Sequence, residues 1–298
     1  MSAAGRPAGS TALQAVPCPL CGEAPGEVVV REGGFQACRC PGCGLVFVSP
    51  RPSPDEILAI YEHDASQTAA RLHIAKTRQP YALAHARFTL DLIARHRGPG
   101  DLLELGAGGG LFLDLARARG HRVAAIEPNP VLAAFLRDEA GLPCETRPLG
   151  PDSFDGARFD IVYHCNVLSH LSDPLGAVQD MGRALRPGGL LVLETGNFAD
   201  VDPRYHALIA RTERFQLPEH LAFFGEPSLR RLLASTGFEL RALHRFSRVA
   251  EKRGPAWLGA LGLRRILPRV RFSLTYRLGR VLPKRGRPQT VILVAARV

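Results

Sequence analysis

Lysine, methionine, tryptophan and long apolar runs are all scarce in this chain of 298 residues. No stretch approaches the roughly 18 uninterrupted apolar residues that a membrane-spanning helix needs, so a bilayer-embedded protein is excluded. Residues 1–17 carry one arginine and no apolar block, and they therefore lack the core of a secretory signal. A content of 46% apolar and 22% charged residues suits one main globular domain plus a small appendage. We expect a loose tail at residues 1–17 and a cytoplasmic chain.

Basic residues are concentrated near the C-terminus. Only three of the 38 are lysines, which indicates compositional drift toward arginine as much as selection for its planar guanidinium group. Residues 241–298 contain fifteen basic residues and one acid, a local net charge of +14, although the whole chain carries only +10. The part of the chain before residue 241 is therefore slightly acidic.

Five of the seven cysteines lie close to the N-terminus. Cys18 and Cys21 form one Cys-x-x-Cys turn, Cys40 and Cys43 form a second, and eighteen residues separate the two turns. This spacing is typical of a zinc ribbon, in which four thiolates close a tetrahedral site and leave no open position. We therefore predict a structural Zn²⁺ in a small fold at residues 18–52. Cys38 could replace Cys40 as a ligand, and we favour Cys40.

A helical segment follows the predicted ribbon. Apolar residues recur at helical spacing over residues 54–61 and roughly 66–97, and Pro80 is expected to kink or split the second helix. We assign residues 53–98 to a helical linker or lid and expect these helices to lie between the ribbon and the main domain. A Gly-Pro-Gly turn then marks the start of the main domain, residues 99–298.

Short apolar strands alternate with helices from residue 101 onward. The predicted strands are 102–105, 123–126, 159–164 and 190–194, and the predicted helices are 111–119, 131–140 and 174–185. This alternation indicates an α/β fold with a parallel, doubly wound sheet. Residues 238–246 and 290–296 are predicted to form a final antiparallel pair of strands. Sheets of this kind bind ligands at the carboxyl ends of their strands.

The first strand of the predicted sheet runs into a glycine-rich turn, with glycines at 106, 108 and 110. Glycines here permit a tight strand-to-helix turn and let a ligand approach the backbone closely. A dinucleotide-binding motif would have glycine at position 111, where this chain has leucine, whereas an acid two residues before the first glycine fits a different ligand. Glu127 ends the second strand, where a carboxylate can accept hydrogen bonds from both hydroxyls of a ribose.

Five segments together resemble the class I S-adenosylmethionine-dependent methyltransferases, and they occur in the order found in that family. They are ELGAGGG, AAIEPNP, FDIVYHCNVLSHLSDP, LRPGGLLVLET and PEHLAFFGEPSLRRLLASTGFEL, within about residues 101–245. The resemblance implies a seven-stranded Rossmann-like sheet and S-adenosylmethionine as cofactor. It also implies that Glu104 lies near the cofactor's amino group, that Glu127 binds its ribose diol, and that the adenine lies near Leu149 or Asp152. The other residues implied at the cofactor are Gly106, Ala107, Gly108, Gly110, Pro128 and Asn166.

Two histidines are candidate catalytic bases. Transfer of a methyl group to a hydroxyl requires removal of a proton, and the pKa of histidine suits that task. His170 follows the fourth strand, and His220 lies in the long connection, 196–226, which in this family closes over the acceptor. Alternatively, His170 caps or packs against the next helix and His220 pins a loop. Many relatives have Glu-His where this chain has Ser-His, which puts a metal or second carboxylate role there in doubt. We expect His164 and Cys165 to be packing residues.

The positive charge near the C-terminus falls in a segment, 247–289, that reads as an amphipathic basic helix interrupted at Pro268. In relatives the corresponding connection between the last two strands is often short. Three functions fit this basic helical insertion: docking on an anionic membrane surface at the inner face of the membrane, gripping a phosphate-bearing substrate, or binding nucleic acid. A fourth interpretation is that its apolar stripe covers the chain's own domain or a second subunit.

The interpretation we favour is a zinc-ribbon methyltransferase that acts on a small molecule or a sugar or glycan precursor, at oxygen. The ribbon, the segment GLVFVSPRP and the core together resemble a bacterial group found with sugar or secondary-metabolite pathways. One alternative is a ribosomal RNA methyltransferase with a zinc ribbon, which the basic segment fits, although the core has no Asn-Pro-Pro-Tyr-type motif. The other alternative is a scaffold that binds the cofactor without turnover.

Overall fold

A computed structural model describes residues 13–63, 70–71, 74–75, 78–198, 215–246 and 289–298. The predicted basic helical insertion lies outside the described residues, apart from residue 289. The strands are β1 (Val28–Glu32), β2 (Phe35–Arg39), β3 (Val46–Val48), β4 (Asp101–Leu105), β5 (Arg122–Ile126), β6 (Cys144–Glu145), β7 (Phe159–Cys165), β8 (Leu185–Asn197), β9 (Ala222–Phe223), β10 (Phe238–Phe246) and β11 (Gln289–Arg297). The α-helices are α1 (Pro54–His63), α2 (Pro80–Ala94), α3 (Leu111–Arg117), α4 (Pro130–Ala134), α5 (Pro174–Ala184) and α6 (Glu226–Ser235).

The main sheet has seven strands in the order β10-β11-β8-β7-β4-β5-β6. Strands β4 to β8 are parallel, and β11 pairs antiparallel with both β8 and β10. This confirms the predicted Rossmann-like fold and its final antiparallel pair. Because the chain crosses from one side of β4 to the other between β6 and β7, the carboxyl ends of β4 and β7 flank a switch point, where such sheets bind ligands.

Two apolar layers cover the faces of this sheet. Leu103 and Leu193 belong to one layer, and Leu102 and Val192 belong to the other. Since successive side chains of a strand point to opposite faces, the acids that follow, Glu104 on β4 and Glu194 on β8, share the face of the second layer. Helices α2 and α3 pack on that face. Both acids therefore lie beneath α2 and α3 at the carboxyl ends of their strands.

The N-terminal residues form a second, four-stranded sheet in the order β1-β2-β3-β9. Its last strand comes from the long connection of the main domain, where Phe223 pairs with Val46. Phe47 belongs to the same apolar layer as Leu103, so the ribbon packs directly on the main sheet.

The expectation that the linker helices lie between ribbon and main domain is wrong for α2. Leu90 and Ile93 of that helix are buried in the layer on the opposite face of the main sheet. The physical reason is that β3 finds its edge partner in β9, which brings the ribbon against the first layer. Helix α2 begins at Pro80, because proline is tolerated in the first turn of a helix and not in its interior. None of the helices in the described parts of the chain is both long and apolar enough to cross a bilayer.

Candidate active site and metal centre

Four cysteine sulfurs converge at the base of the ribbon. The Sγ atoms of Cys18, Cys21, Cys40 and Cys43 all lie within 4.8 Å of one another, with Cys18 3.5 Å from Cys43 and Cys21 3.3 Å from Cys40. In each knuckle the amide of the glycine after the second cysteine donates 2.9 Å to the carbonyl of the first cysteine. The two Cys-x-x-Cys turns therefore aim four sulfurs at one point, which is the donor set of a closed zinc site.

The fifth nearby cysteine takes a different position. Cys38 lies within β2, and its Sγ donates to the backbone carbonyl of Ser49 at 3.7 Å instead of joining the cluster. Burial raises the pKa of the Cys18 thiol, and it raises that of Cys43 to about 11. Hydrogen bonds from neighbouring backbone amides and thiols lower the pKa of Cys40 against the effect of its burial. The geometry of the four sulfurs, which are the donor atoms zinc prefers, is what fits a bound metal ion.

The glycine-rich turn after β4 is shaped by three glycines in the left-handed region. Gly106, Gly108 and Gly110 have φ values of 70°, 54° and 71°. A Cβ on Gly106 would lie 2.7 Å from a methyl group of Val167, so the close approach also requires glycine there. The amide of Gly106 donates to the carbonyl of Ile126 at 2.7 Å, which holds the turn against the end of β5.

Two buried carboxylates flank this turn. Glu127, 6% exposed, accepts hydrogen bonds from the amides of Gly108 at 2.7 Å and Asn129 at 3.0 Å. Glu104 is 5% exposed, and its Oε2 has no hydrogen-bond partner among the residues that the structure describes. Burial, and then the nearby Glu127 carboxylate, raise the pKa of Glu104 well above its usual value. Burial also raises the pKa of Glu127, against the two amides that lower it. A cation placed beside Glu104 would stabilise the ionised carboxylate and lower its pKa again.

Asn166 follows β7 directly and lies at the same carboxyl edge of the main sheet. It adopts a left-handed conformation with φ of 57°, and its amide donates 2.8 Å to the carbonyl of Glu194. Glu104, the glycine turn with Ala107, Glu127 with Pro128, and Asn166 thus lie together at the carboxyl edge of the sheet. The expected adenine loop is folded by local contacts: the Ser153 hydroxyl accepts from the Gly150 amide at 3.0 Å, and a Glu145 oxygen accepts from the Phe154 amide at 2.6 Å.

The two candidate catalytic histidines stack on each other, with ring centroids 4.5 Å apart. Nδ1 of His170 donates to the carbonyl of Glu219 at 2.9 Å, and Nδ1 of His220 donates to the carbonyl of Phe215 at 2.7 Å. Burial, and then the neighbouring His220 ring, lower the pKa of His170 to about 4. His164 is fully buried, as expected for a packing residue. The stacked pair links the rim after β7 to the connection that precedes β9.

Sequence reasoning missed a third histidine, His85 of α2. Its Nε2 lies 2.6 Å from Oε2 of Glu194, and the Cys165 sulfur lies within 4.8 Å of a ring nitrogen of His85 and of a carboxylate oxygen of Glu194. The pair is separated by 109 residues, so no local pattern joins its members. The available signal was Glu194 itself, an acid that ends the apolar run Leu190–Leu193 of a central strand.

A second contact missed from the sequence joins the ribbon to the long connection. The Glu32 carboxylate accepts hydrogen bonds from the amides of Phe215 at 3.1 Å and Leu217 at 3.2 Å, and Glu32 is only 8% exposed. Further along, Leu221 accepts from the Val48 amide at 2.8 Å and donates to the Ser169 carbonyl at 2.7 Å. The chain before β9 is therefore hydrogen-bonded both to the ribbon and to the loop after β7 that carries His170.

The strand order, the glycine turn and the two acids define a class I S-adenosylmethionine-dependent methyltransferase fold. A family model described as "Methyltransferase domain" matches residues 61–243, more than half of the chain. The chain belongs to this methyltransferase family. The match begins inside the segment assigned from the sequence to the linker, so α2 falls within the matched region.

Two curated relatives agree with this membership. The chain is 31% identical over 144 residues to a ubiquinone biosynthesis O-methyltransferase of Methylobacterium sp. (strain 4-46), covering 43% of this chain and 57% of the relative. It is 36% identical over 121 residues to the enzyme of the same name from Caulobacter vibrioides, covering 38% and 48%. The matched parts thus span about half the length of these relatives.

Similarity to solved structures extends further along the chain at lower identity. The [4+2]-cyclase SpnF matches with a TM-score of 0.54 at 20% identity, covering 83% of this chain and 96% of that protein. The cyclopropane synthase MmaA2 of Mycobacterium tuberculosis matches with a TM-score of 0.50 at 17% identity, covering 70% and 83%. At these identities the likeness establishes the fold alone.

Proposed function

We propose that this protein is an S-adenosylmethionine-dependent methyltransferase that methylates an oxygen atom of a small molecule or a sugar or glycan precursor. The observation that carries the proposal is the pair of buried acids at the glycine turn, one of which, Glu104, has a carboxylate oxygen without a hydrogen bond among the described residues. The named activity of the curated relatives supports oxygen as the methylated atom.

Glu104 and Glu127 can bind two different polar groups of the cofactor. The methionine part of S-adenosylmethionine carries an ammonium group, which would pair with the Glu104 oxygen and stabilise its ionised form. The ribose carries two hydroxyls that can donate to Glu127. The turn between these two acids can only be glycine at position 106, since a side chain there would collide with Val167. We assign Asn166 to the methionine part.

The acceptor would enter beside the stacked histidines. His170 and His220 remain candidate bases, although both rings are tied to backbone carbonyls, which favours a role in holding the connection before β9. Burial lowers the pKa of His170 to about 4, so its ring stays neutral at pH 7 and is a weak base there. We assign the ribbon to the same side as the acceptor, because its edge strand β9 follows His220 closely in the long connection.

We assign Cys18, Cys21, Cys40 and Cys43 to one structural Zn²⁺. Four thiolates complete a tetrahedral shell, so the ion would have no open position for substrate or water. Its contribution would be to fix the two knuckles of a fold that is too small to be held by its own core alone. Bound zinc near one equivalent per chain, measured by elemental analysis, is the expected result.

The proposed function is tested in two steps with the purified full chain. Calorimetry should show saturable binding of S-adenosylhomocysteine and none of a nicotinamide dinucleotide. The chain is then incubated with S-adenosyl-[methyl-³H]methionine and an extract of its host, and the label is sorted into RNA, lipid, glycan and small-molecule fractions. Label in the small-molecule or glycan fraction supports the proposal. Label in RNA would favour the RNA methyltransferase alternative, and cofactor binding without transfer would favour a scaffold.

A further inference from the structure

Arg51 reaches from the ribbon to the loop that follows β7. It is 8% exposed, and its Nη2 donates to the backbone carbonyl of Ser172 at 2.9 Å, 121 residues further along the chain. We propose that Arg51 is a positioning residue, which holds the loop of residues 166–173 in the geometry that methyl transfer needs. This inference rests on the proposed function, because that loop carries Asn166 and His170.

The loop joins β7 to α5, and it is attached to the rest of the protein at several points. Near its start the Asn166 amide donates to a carbonyl of β8 at 2.8 Å, and in its middle the Ser169 carbonyl accepts from an amide of the long connection at 2.7 Å. Arg51 adds an attachment at Ser172, near the end of the loop. His170 lies between the second and the third of these points, so the position of its ring depends on both.

The ribbon end of this contact is firmly held. Arg51 and Gln14 exchange backbone hydrogen bonds, with the Gln14 amide donating at 2.8 Å and the Arg51 amide donating at 3.0 Å. The Ser49 hydroxyl accepts from the Val16 amide at 3.1 Å and donates to the Val16 carbonyl at 3.0 Å. Val16 lies two residues before Cys18, so the segment that carries Arg51 is tied to the chain next to the four-cysteine cluster.

The guanidinium of Arg51 is a buried cation with little compensation for its charge. Its Nη1 is buried and has no hydrogen-bond partner in the described part of the chain. Burial lowers the pKa of Arg51 against the charge of Asp173, whose carboxylate is exposed and accepts from the Gly176 amide at 2.9 Å at the start of α5. Burying a poorly compensated charge costs stability, so stability alone does not explain this residue. Departures of this kind from the rules of stable packing are expected at functional sites.

A direct contact with the acceptor is the competing explanation. A guanidinium pairs well with a carboxylate or a phosphate, and Nη1 has hydrogens to donate. In this structure Nη1 is shielded from solvent, and the contact that the side chain makes is with the protein's own loop. The geometry therefore favours positioning of the loop over binding of the acceptor.

The test compares Arg51→Met and Arg51→Lys with the matched control Arg39→Met. Arg39 belongs to the same ribbon and pairs with the exposed Glu27 at 3.4 Å. Each full-length variant is measured for bound zinc, for its midpoint of urea unfolding and for S-adenosylhomocysteine affinity. Two further measurements are hydrogen exchange of peptides that cover residues 166–173, and transfer of labelled methyl at increasing amounts of the fraction that the wild type labels.

We expect Arg51→Met to keep its zinc and its cofactor affinity, and its urea midpoint should not fall because methionine removes a buried charge. Exchange over residues 166–173 should be faster, and the maximal transfer rate should fall about 10- to 100-fold, the scale of a small misplacement of reacting groups. Arg51→Lys should recover part of the rate, since an ammonium can still donate to the Ser172 carbonyl. Arg39→Met should match the wild type in every measurement.

Other outcomes would overturn the proposal in different ways. Wild-type transfer by Arg51→Met would refute the positioning role. Loss of zinc or a lower urea midpoint in step with the lost rate would make Arg51 a structural support of the ribbon. A higher acceptor concentration for half-maximal rate, at an unchanged maximal rate, would make Arg51 a ligand of an anionic acceptor.

Two further results keep the test decisive. If Arg51→Met does not fold, Arg51→Lys decides by the same measurements: a lower maximal rate with faster exchange supports the proposal, and a wild-type maximal rate contradicts it. A wild type that binds S-adenosylhomocysteine but transfers no label refutes the proposed function, and this inference with it.

Discussion

Removing the Glu32 carboxylate should loosen the connection before β9 without changing cofactor binding. Glu32→Ala leaves the amides of Phe215 and Leu217 without their acceptor in a buried site. An unsatisfied buried donor costs about 1–3 kcal/mol, so the two together correspond to about 2–6 kcal/mol, and entry of water into the vacated space would reduce this figure toward its lower end. A local destabilisation of about 2 kcal/mol corresponds to roughly 30-fold more frequent opening.

Hydrogen exchange measured by mass spectrometry is the direct assay. Peptides that cover residues 215–223 should exchange about 30-fold or more faster in Glu32→Ala, whereas those that cover β4 and the glycine turn should not change. Glu27→Ala is the matched control, because its side chain is 75% exposed and pairs with Arg39 at 3.4 Å in the same small sheet. Exposed pairs of this kind contribute little to stability.

Two results would refute the reasoning. Unchanged protection at residues 215–223 in Glu32→Ala would show that these hydrogen bonds do not hold the connection. Equal loss of protection at residues 215–223 in the Glu27→Ala control would show that any substitution in the ribbon loosens the connection, even one that removes no contact with it. Calorimetry of S-adenosylhomocysteine should give the same affinity for both variants, since the proposed cofactor acids lie on the opposite face of the main sheet.

Three further predictions concern the metal, the cofactor and pH. Cys40→Ser should bring bound zinc well below one per chain by elemental analysis while Cys38→Ser keeps it, and equal losses would contradict the assigned ligand set. Glu127→Ala should weaken S-adenosylhomocysteine binding by one to two orders of magnitude, the scale of losing hydrogen bonds to a buried diol, and an unchanged calorimetric affinity would remove that assignment. Burial lowers the pKa of His164 to about 4 from 6.5, so between these pH values the unfolded chain binds a proton that the folded chain does not. The free energy of unfolding should therefore fall by up to about 3 kcal/mol as the pH drops from 6.5 to 4. His164→Leu should flatten this pH dependence, measured by urea unfolding at each pH, and a variant that keeps the wild-type dependence would contradict the assignment.

Local patterns made part of this structure predictable. Glu104 near the end of β4, the glycines after that strand and Glu127 directly after β5 lie in short, continuous segments. In such segments the alternation of apolar residues and the chemistry of the turn decide the conformation. The cysteine knuckles are equally local, since each pair of sulfurs is set by one turn. Choosing between Cys38 and Cys40 needed only the strand boundary, because Cys38 belongs to β2 and Cys40 follows its end.

Contacts between distant segments could not be predicted in this way. Strand β9 has only two residues, Ala222–Phe223, too few for any period to identify, and its pairing with β3 depends on the tertiary packing of the ribbon. Glu32 and Phe215 are 183 residues apart, and His85 and Glu194 are 109 apart. Polar side chains of this kind are exceptions to the apolar pattern of the elements that carry them, and only the fold shows which group each one meets.

The shared strand β9 joins the four-cysteine cluster and the proposed acceptor side in one structure. Loss of zinc would free the two knuckles and weaken the sheet whose edge Phe223 completes. The Leu221 carbonyl and amide join that edge to Val48 and Ser169, one residue before His170, so the disturbance would reach the stacked histidines through backbone hydrogen bonds. The glycine turn is held by the hydrogen bond of the Gly106 amide to the end of β5. Removing the metal should consequently impair the acceptor side far more than the cofactor side, which is the opposite of what a catalytic zinc beside the methyl group would produce.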